Sequence, residues 1–372
     1  MELRLLAGGW ALAWCCLAVP AQAQIVIGQT ASFTGPVAAG VKETADGAKW
    51  YLDAVNARGG IRGQLVQLVS LDDKFDPKLA AENAAQLAQR PEVLALFLSR
   101  STPATEAMLP VLDKYSLALV APSTGANVFH VPVNRWVFNV RATYQREAEK
   151  AVVHLATTGL KRIVVVYADD SFGKDGLIGA DKGFAKAGFQ AELLIKADRS
   201  KPDYPDIVQR IVKAQAQAVL WIGSGNAVAD GVKALRKSGS VAQVVTLSNN
   251  ASNGFITALG EAANGVIVTQ VFPSERSLTH PFIKEATALA VAHGQKALSP
   301  SHVEGVAAAK VLVEGLRRAG PKPTRVSLTA ALEGLQGFDL GGGLVVSYGP
   351  ADHTGLDFAD LSIIDAKGRF RR

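Results

Sequence analysis

The chain has 372 residues and a net charge of +6 at pH 7, from 39 basic and 33 acidic side chains. This length suggests two domains, each with its own hydrophobic core. The basic side chains are scattered among acidic ones and do not cluster with aromatic residues, which excludes a dense nucleic-acid-binding patch. The two cysteines, Cys15 and Cys16, lie near the N-terminus, so the rest of the chain is expected to hold neither a disulfide nor a thiolate metal site.

The N-terminus has the pattern of a secretory signal peptide. Arg4 precedes an apolar segment over residues 5–19, and Ala21, Gln22 and Ala23 supply the small-x-small pattern of a cleavage site. The apolar segment, about 15 residues, is shorter than the roughly 20 that a membrane-spanning helix needs. Residues 1–23 are therefore predicted to be removed on export together with both cysteines, and the mature chain to work outside the cytoplasm.

From residue 24 onward, apolar runs typical of buried strands alternate with helical spacing. In a first block, strands are predicted at residues 25–29, 65–71, 93–98, 117–120 and 136–140, and helices at 37–57, 77–89 and from Ser101 onward. In a second block, helices at 144–154, 174–186, 204–214 and 227–237 alternate with strands at 162–167, 189–195, 218–222, 244–247 and 265–271. Residues 169–173 are predicted to form a polar loop. This alternation predicts βαβ units and parallel sheets.

After Pro273 the pattern changes to three successive helices, predicted at residues 281–293, 302–319 and 327–335. A strand pair around residues 341–343 and a terminal strand at 361–364 follow. If the helices pack on the first block and the terminal strand on the second, the chain crosses between the blocks three times. The predicted fold is α/β, with two doubly wound parallel-sheet lobes joined by a three-crossover hinge. Lobe 1 is predicted to contain residues 24–142 plus 274–348, and lobe 2 residues 143–273 plus 349–372.

Two hydroxyl-rich turns follow adjacent apolar runs within residues 97–126. In a parallel sheet the carboxyl ends of both strands reach the same edge, where hydroxyls and free helix amides can bind a small anion. Any single side chain of this kind is more simply explained as an ordinary helix cap, and this interpretation is favoured for Thr143 and Asn226. The two turns together offer more donors than two caps require, so they predict a binding cradle formed by Ser101, Thr102, Thr105, Ser123, Thr124 and Gly125.

Sequence signatures of catalysis are incomplete. The chain contains no HExxH motif and no phosphate loop, and its six histidines are dispersed, so neither a metal nor a cofactor is predicted. The segment around Ser123 has the spacing of a nucleophile elbow, but Ala121 replaces the first glycine and no histidine stands out as its base. The turn at residues 223–226 lacks the third glycine of a dinucleotide loop. These patterns favour binding over catalysis.

Four segments of the chain carry a family resemblance: IGQTASFTGP at residues 27–36, DGAKWYLDAVNARGGIRGQLVQLVSLDDKFDP at 46–77, APSTGA at 121–126 and VVVYADDSFGKDGL at 164–177. Together they resemble the leucine/isoleucine/valine-binding type of solute receptor that serves ABC importers. The resemblance implies the type I periplasmic-binding fold, in a monomeric periplasmic protein without enzymatic activity or cofactor. The implied partners are a small-molecule ligand, an amino acid or another small carboxylate, and the membrane permease subunits of an ABC transporter.

The resemblance also implies which residues meet the ligand. Its carboxylate is expected to lie against residues 101–105 and 123–125, and Phe172 stands where relatives often place a tyrosine that closes over the ligand. The loop at residues 248–253 matches the position where amino-acid receptors supply an acid for the ammonium group, and here it contains Asn249 and Asn250. A buried ammonium without a countercharge is costly. A carboxylate or amide without an α-amino group is therefore slightly favoured over a branched-chain amino acid.

Further candidates for ligand contact belong to the same cleft. Arg100 and Arg141 are candidate carboxylate partners, each with a position at the rim as the alternative. Tyr144 and the turn at residues 223–226 are expected to close together with Phe172. The predicted mechanism is closure of two lobes over the ligand without chemistry. Two other functions stay open on the sequence: a ligand-sensing receptor for a membrane signalling protein, and a serine hydrolase that uses Ser123.

Overall fold

The structure, a computed structural model, describes residues 24–372. The predicted signal peptide, residues 1–23, lies outside the described residues. Within the described part of the chain, two large sheets form the centres of two α/β lobes. A search of the helices in this part found none that combines the length and the apolar character needed to cross a membrane.

The first lobe begins with five strands and three helices. They are β1 (Gln24–Ala31), α1 (Ala38–Ala57), β2 (Leu65–Asp72), α2 (Pro77–Ala88), β3 (Val93–Phe97), α3 (Thr102–Tyr115), β4 (Ala118–Val120) and β5 (Val137–Phe138). The strands are all parallel and lie in the order β2-β1-β3-β4-β5. Helix α2 begins where predicted, because Pro77 occupies its first turn and the carboxylate of Asp76 accepts a hydrogen bond from the Lys78 amide.

The second lobe is built on a larger, mixed sheet. Its strands are β6 (Ile163–Ala168), β7 (Leu193–Ala197), β8 (Ala218–Ile222), β9 (Gln243–Thr246), β10 (Ile267–Gln270), β13 (Asp360–Ile364) and β14 (Phe370–Arg371). They lie in the order β14-β13-β10-β9-β8-β6-β7. Strands β13 and β14 run antiparallel at one edge, and the other pairs are parallel. Its helices are α4 (Tyr144–Thr157), α5 (Ser171–Ala187), α6 (Tyr204–Lys213), α7 (Gly225–Lys237) and α8 (Asn253–Leu259).

Between β10 and β13 the chain returns to the first lobe. This segment contains α9 (Pro281–Ala292), α10 (Pro300–Arg318), α11 (Arg325–Glu333) and the hairpin of β11 (Phe338–Asp339) with β12 (Val345–Val346). Residues of α9, α10 and α11 share one hydrophobic cluster with β1, α1 and β3. Within residues 24–372 the chain therefore passes between the lobes three times. The α/β fold class with two parallel-sheet lobes is confirmed, whereas the residue numbers of the lobe boundaries stay a prediction.

Most predicted elements are confirmed to within a few residues, but two differences lie at the two ends of α5. The prediction of a polar loop at residues 169–173 is wrong from Ser171 onward. The carboxylate of Asp170 accepts the Gly173 amide at 2.9 Å and starts α5 early. The strand predicted at 189–195 begins only at Leu193, because the chain turns at Gly188 and Phe189 packs on Phe184 with ring centroids 5.6 Å apart.

Candidate functional site

A cavity of about 380 Å³ lies between the two lobes, at the carboxyl ends of strands from both sheets. This is the edge at which open α/β sheets bind ligands. We call it the main cavity. The first lobe supplies Val37, Phe75, Arg100, Ser101 and Thr102 to its wall, and the second lobe supplies Tyr144, Ala168, Asp170, Phe172, Arg199, Ser224 and Asn249.

The N-terminus of α3 forms one part of the wall. Ser101 precedes the helix with a φ of 77°, an uncommon conformation for serine, and its side chain makes no capping hydrogen bond. Instead its Oγ accepts a hydrogen bond from Arg199 Nη2 of the other lobe at 2.7 Å. The hydroxyl of Thr102 lies 2.8 Å from that of Thr124. The uncapped helix end can therefore offer amides to an anion.

Arg100 brings a buried positive charge to the same wall. Its side chain is only 4% exposed, and its Nη1 donates to Ser123 Oγ at 2.7 Å. Its Nη2 donates to the backbone oxygen of Asn249 in the second lobe at 2.6 Å. Both acceptors are neutral. A negative charge is reached only through Ser123, whose Oγ donates to the carboxylate of Glu304 at 2.6 Å. Arg100 is therefore suited to bind a carboxylate directly.

A second arginine faces the cavity from the other lobe, already paired with an acid. Arg199 Nη1 lies 3.4 Å from Asp170 Oδ2, and the guanidinium carbon lies 3.8 Å from the ring centroid of Phe75. Burial lowers the pKa of Arg199, although Asp170 opposes that effect. Sequence reasoning missed all three residues. Asp170 and Arg199 follow the ends of β6 and β7, a position that could have marked them as candidates.

Aromatic side chains close the cavity on the second-lobe side. Tyr144 and Phe172 meet edge to face, with ring centroids 4.8 Å apart and planes at 70°. Tyr144 is enclosed so completely that burial raises the pKa of its hydroxyl. The rings offer an apolar surface to the part of a ligand that carries no charge.

The structure brings half of the predicted site residues to the main cavity and places the others behind its wall. Those that line it are Arg100, Ser101, Thr102, Tyr144, Phe172 and Asn249. Thr105 is buried against Ser99, with the two hydroxyls 2.9 Å apart, and Ser123 and Thr124 hold Arg100 and Thr102. Gly125 serves a close approach, since a Cβ there would lie 2.6 Å from the oxygen of Ala142.

Arg141 does not line the cavity either. Its Nη2 donates to Glu147 Oε1 and to Ser248 Oγ, both at 2.5 Å, and its Nη1 lies 3.7 Å from Glu304. Burial alone would lower the pKa of Arg141, but the negative charges of Glu304 and Glu147 outweigh burial and raise it. The predicted contact with a ligand carboxylate is replaced by this internal ion cluster, which is fully enclosed between the lobes.

The asparagine loop lies at the boundary of the main cavity. Asn249 Nδ2 donates to the Gly223 oxygen at 3.0 Å and to Asn250 Oδ1 at 3.1 Å. Asn250 itself is turned away from the main cavity, because its Nδ2 donates to Thr246 Oγ1 at 2.8 Å. The loop itself contains no acid. The main cavity does contain one, Asp170, but its carboxylate is already paired with Arg199.

Contacts across the cleft hold the two lobes together around the cavity. The carboxylate of Glu43 in α1 accepts the amides of Asn253 and Gly254 at the start of α8, at 3.0 and 2.7 Å. The side chain of Ser171 in α5 donates to Glu106 in α3. The lobes are therefore closed. Among residues 24–372, no group of three or more histidine, cysteine, aspartate or glutamate side chains is arranged to hold a metal ion.

Comparison with known proteins places this geometry in context. A family model described as "Periplasmic binding protein" matches residues 24–365. A Leu/Ile/Val-binding protein of Rhizobium johnstonii is 28% identical over 324 residues, which are 84% of this chain and 84% of that protein. A substrate-binding periplasmic protein from Ralstonia solanacearum has a similar structure, with a TM-score of 0.85 at 30% identity over 93% of this chain and 99% of that one. A possible leucine/isoleucine/valine-binding protein from Rhodopirellula baltica gives a TM-score of 0.88 at 25% identity, over 95% and 98%.

Proposed function

This chain belongs to the periplasmic binding protein family, and on that basis we propose that it is a periplasmic receptor for a small carboxylate. It binds the ligand between its two lobes and delivers it to the membrane permease of an ABC importer. The observation that carries the proposal is Arg100, a buried guanidinium in the cavity wall whose two hydrogen-bonded nitrogens meet only neutral oxygens. Ligands of the named relatives, leucine, isoleucine and valine, contain the same carboxylate.

The charges of the main cavity favour a ligand with one net negative charge. Among the described residues, the charged side chains of its wall are Arg100, Arg199 and Asp170, and Arg199 is paired with Asp170. One positive charge is left, which a monocarboxylate neutralises. The ammonium group of an amino acid would have to share Asp170 with Arg199, and a poorly compensated buried charge is costly.

Binding proceeds by closure, without a chemical step. In the first lobe, Arg100 and the start of α3 hold the carboxylate. In the second lobe, Tyr144 and Phe172 cover the apolar part of the ligand when the lobes meet. Ser123, the residue that a hydrolase would use, lies behind Arg100 and is engaged by Arg100 and Glu304. We therefore propose that the protein is a monomeric receptor and not an enzyme.

A thermal-shift panel tests the ligand class. The mature chain is mixed separately with aliphatic acids, aromatic acids and all common amino acids. A carboxylate without an α-amino group at 100 times its dissociation constant is expected to stabilise the protein by about 2.7 kcal/mol. A shift with leucine, isoleucine or valine alone would contradict the carboxylate proposal and identify an amino-acid receptor.

A variant pair tests the role of Arg100. Arg100→Gln removes the charge that faces the ligand, so the affinity for the carboxylate found in the panel is expected to fall about 100-fold, as for a lost charge-assisted hydrogen bond. The control is Arg90→Gln, which removes an exposed arginine paired with Glu92. Isothermal titration calorimetry measures both. Equal affinities of the two variants would show that Arg100 does not hold the ligand.

Delivery to a permease is tested in cells. Deletion of the chain is expected to abolish uptake of the radiolabelled carboxylate, and expression of the intact chain to restore it. Unchanged uptake would contradict delivery and favour the sensing role.

A further inference from the structure

A second cavity, with about 290 Å³ of empty space that is partly open to solvent, lies beside the main cavity between the two lobes. Val37 and Asn249 belong to the walls of both cavities, so these two residues mark the boundary between them. We call this second space the side cavity. Its wall is made of small or neutral side chains, among them Gly40, Gly225, Asn226, Asn250, Ser252 and Gly254.

Two buried polar atoms near the boundary have no hydrogen-bond partner among the described residues: Asn249 Oδ1 and Ser224 Oγ. Asn249 uses its Nδ2 on the Gly223 oxygen and on Asn250 Oδ1, which orients Oδ1 as a free acceptor. Ser224 occupies the N-cap position of α7 but makes no capping hydrogen bond. Buried polar atoms are rarely left unpaired in proteins, so both atoms indicate a polar group of the ligand.

The chemistry of that group follows from the side-cavity wall. No charged side chain belongs to this wall among the described residues. The carboxylate of Glu43 lies behind Gly254 but already accepts the amides of Asn253 and Gly254, so an ammonium group in the side cavity would be poorly compensated. An amide acceptor such as Asn249 Oδ1 requires an N–H or O–H donor. A neutral donor, such as a primary amide or a hydroxyl, satisfies both conditions.

We propose that the ligand is elongated, with a carboxylate in the main cavity at Arg100 and a neutral hydrogen-bond donor that reaches Asn249 and extends into the side cavity. This inference rests on the proposed function and narrows its ligand class from small carboxylates to acids with a distal amide or hydroxyl group. In this proposal the main cavity selects ligands with a carboxylate, and the side cavity selects ligands that are long enough to reach it and that end in a neutral polar group.

Glutaramate and 5-methylhexanoate provide a matched pair of probes, because the distal amide of the first has nearly the shape of the isopropyl group of the second. Isothermal titration calorimetry of the mature chain is expected to show that glutaramate binds about tenfold more tightly than 5-methylhexanoate. This is the change in affinity expected when the ligand makes one additional hydrogen bond. In Asn249→Leu or Ser224→Ala this preference is expected to shrink. Equal binding of the two acids by the unchanged chain, or tighter binding of 5-methylhexanoate, would overturn the inference.

Two glycine variants test the side cavity itself. A Cβ on Gly40 would lie 3.7 Å from Arg100 Nη2, and one on Gly225 would lie 3.5 Å from the Pro36 oxygen. Both are ordinary contacts, so Gly40→Ala and Gly225→Ala place a methyl group in the side cavity without a clash. The ratio of glutaramate to butanoate affinity is expected to fall about tenfold in each variant. An unchanged ratio in both would overturn the side cavity as a ligand subsite.

Butanoate distinguishes failure of this inference from failure of the proposed function. It carries the carboxylate but is too short to bring a polar group to the boundary. Binding of butanoate without a preference for glutaramate over 5-methylhexanoate would refute the elongated ligand and leave the carboxylate receptor standing. Absence of binding of all three acids, together with no stabilisation by any carboxylate without an α-amino group in the thermal-shift panel, would refute both.

Discussion

Arg141 is a fully enclosed charge at the point where the chain first passes between the lobes. Its guanidinium contacts Glu147 and Ser248 in the second lobe and lies close to Glu304 of α10. Glu147 Oε2 also accepts the Ser248 amide at 2.9 Å and the Thr269 hydroxyl. Arg141 and Glu147 compensate each other's charge in the buried cluster, so removal of either charge leaves the other one buried without full compensation.

Glu147→Gln is therefore expected to lower the free energy of unfolding by about 3 kcal/mol, because Arg141 loses its closest countercharge in a dry environment. Glu82→Gln is the control, since that glutamate is 59% exposed and 3.8 Å from Lys78 on the surface of α2; its loss should cost less than about 1 kcal/mol. Urea denaturation measures both. Equal destabilisation would contradict the role assigned to the buried cluster.

His302 links stability to pH. Its ring stacks on Trp50 with centroids 4.6 Å apart, and Nδ1 accepts the Ser299 amide at 3.0 Å. Burial lowers its pKa from 6.5 to about 4, with Asp46 opposing and Lys42 reinforcing the shift. The unfolded chain binds this proton first as the pH falls, so stability is lost between about pH 6.5 and pH 4, by about 3 kcal/mol in all.

His302→Gln is expected to remove this part of the pH dependence. At pH 7.5 the variant is less stable than the original chain, because the stacking on Trp50 is lost, but the difference should narrow as the pH falls to 4. Urea denaturation at a series of pH values measures the two curves. Parallel curves over this range would show that His302 does not titrate as stated.

At the scale of elements, the contact between α1 and α10 decides how the returning chain joins the first lobe. A Cβ on Gly305 of α10 would lie 1.9 Å from the Thr44 oxygen, and one on Gly47 of α1 would lie 2.2 Å from the His302 oxygen. The two backbones are in direct contact, which only glycine permits. The pattern of alanines and valines in the sequence predicted α10 but not this approach.

Gly305→Ala is accordingly expected to destabilise the protein by about 2 kcal/mol or more, because the two helices must separate. Gly40→Ala on α1 is a matched control, since its Cβ would meet nothing closer than 3.7 Å and alanine is the better helix former by up to about 1 kcal/mol. Thermal and urea denaturation compare the two. A Gly305→Ala variant as stable as Gly40→Ala would contradict the close packing.

At the scale of the whole molecule, the main cavity takes its wall from both lobes, so it is complete only when the lobes are closed. Gly254 at the start of α8 lies against α1 of the other lobe, and a Cβ there would lie 2.3 Å from the Cβ of Ala39. Beside it, Glu43 accepts two amides of α8, and burial raises the pKa of that carboxyl. This contact forms across the cleft and therefore reports closure.

Gly254→Ala is expected to block full closure without harming either lobe, since the clash arises between lobes and not within one. Ligand affinity should fall at least about tenfold while the melting temperature of the ligand-free protein changes little. Small-angle X-ray scattering with saturating ligand should show a larger radius of gyration than for the original chain. Unchanged affinity and an unchanged radius would contradict the closure mechanism.

The sequence predicted the elements well and the site in part. Strand and helix positions follow from the spacing of apolar residues and from local caps such as Asp76, which act within a few residues. The hydroxyls at 101 and 102 were found because they follow a strand end directly. Phe75, Asp170 and Arg199 were not found, because each comes from a different loop and only the packing of two lobes brings them together.

The amino-acid sequence by itself determined the α/β class, the two lobes and the general character of the protein as a receptor, because these depend on periodicity and on contiguous motifs. The tertiary structure decided which charges are free. It paired Arg141 with Glu147 and Arg199 with Asp170, and it left Arg100 among neutral acceptors in the cavity wall. Charge pairing depends on distances of a few ångströms between residues far apart in the chain, and such distances exist only after the lobes have folded and closed.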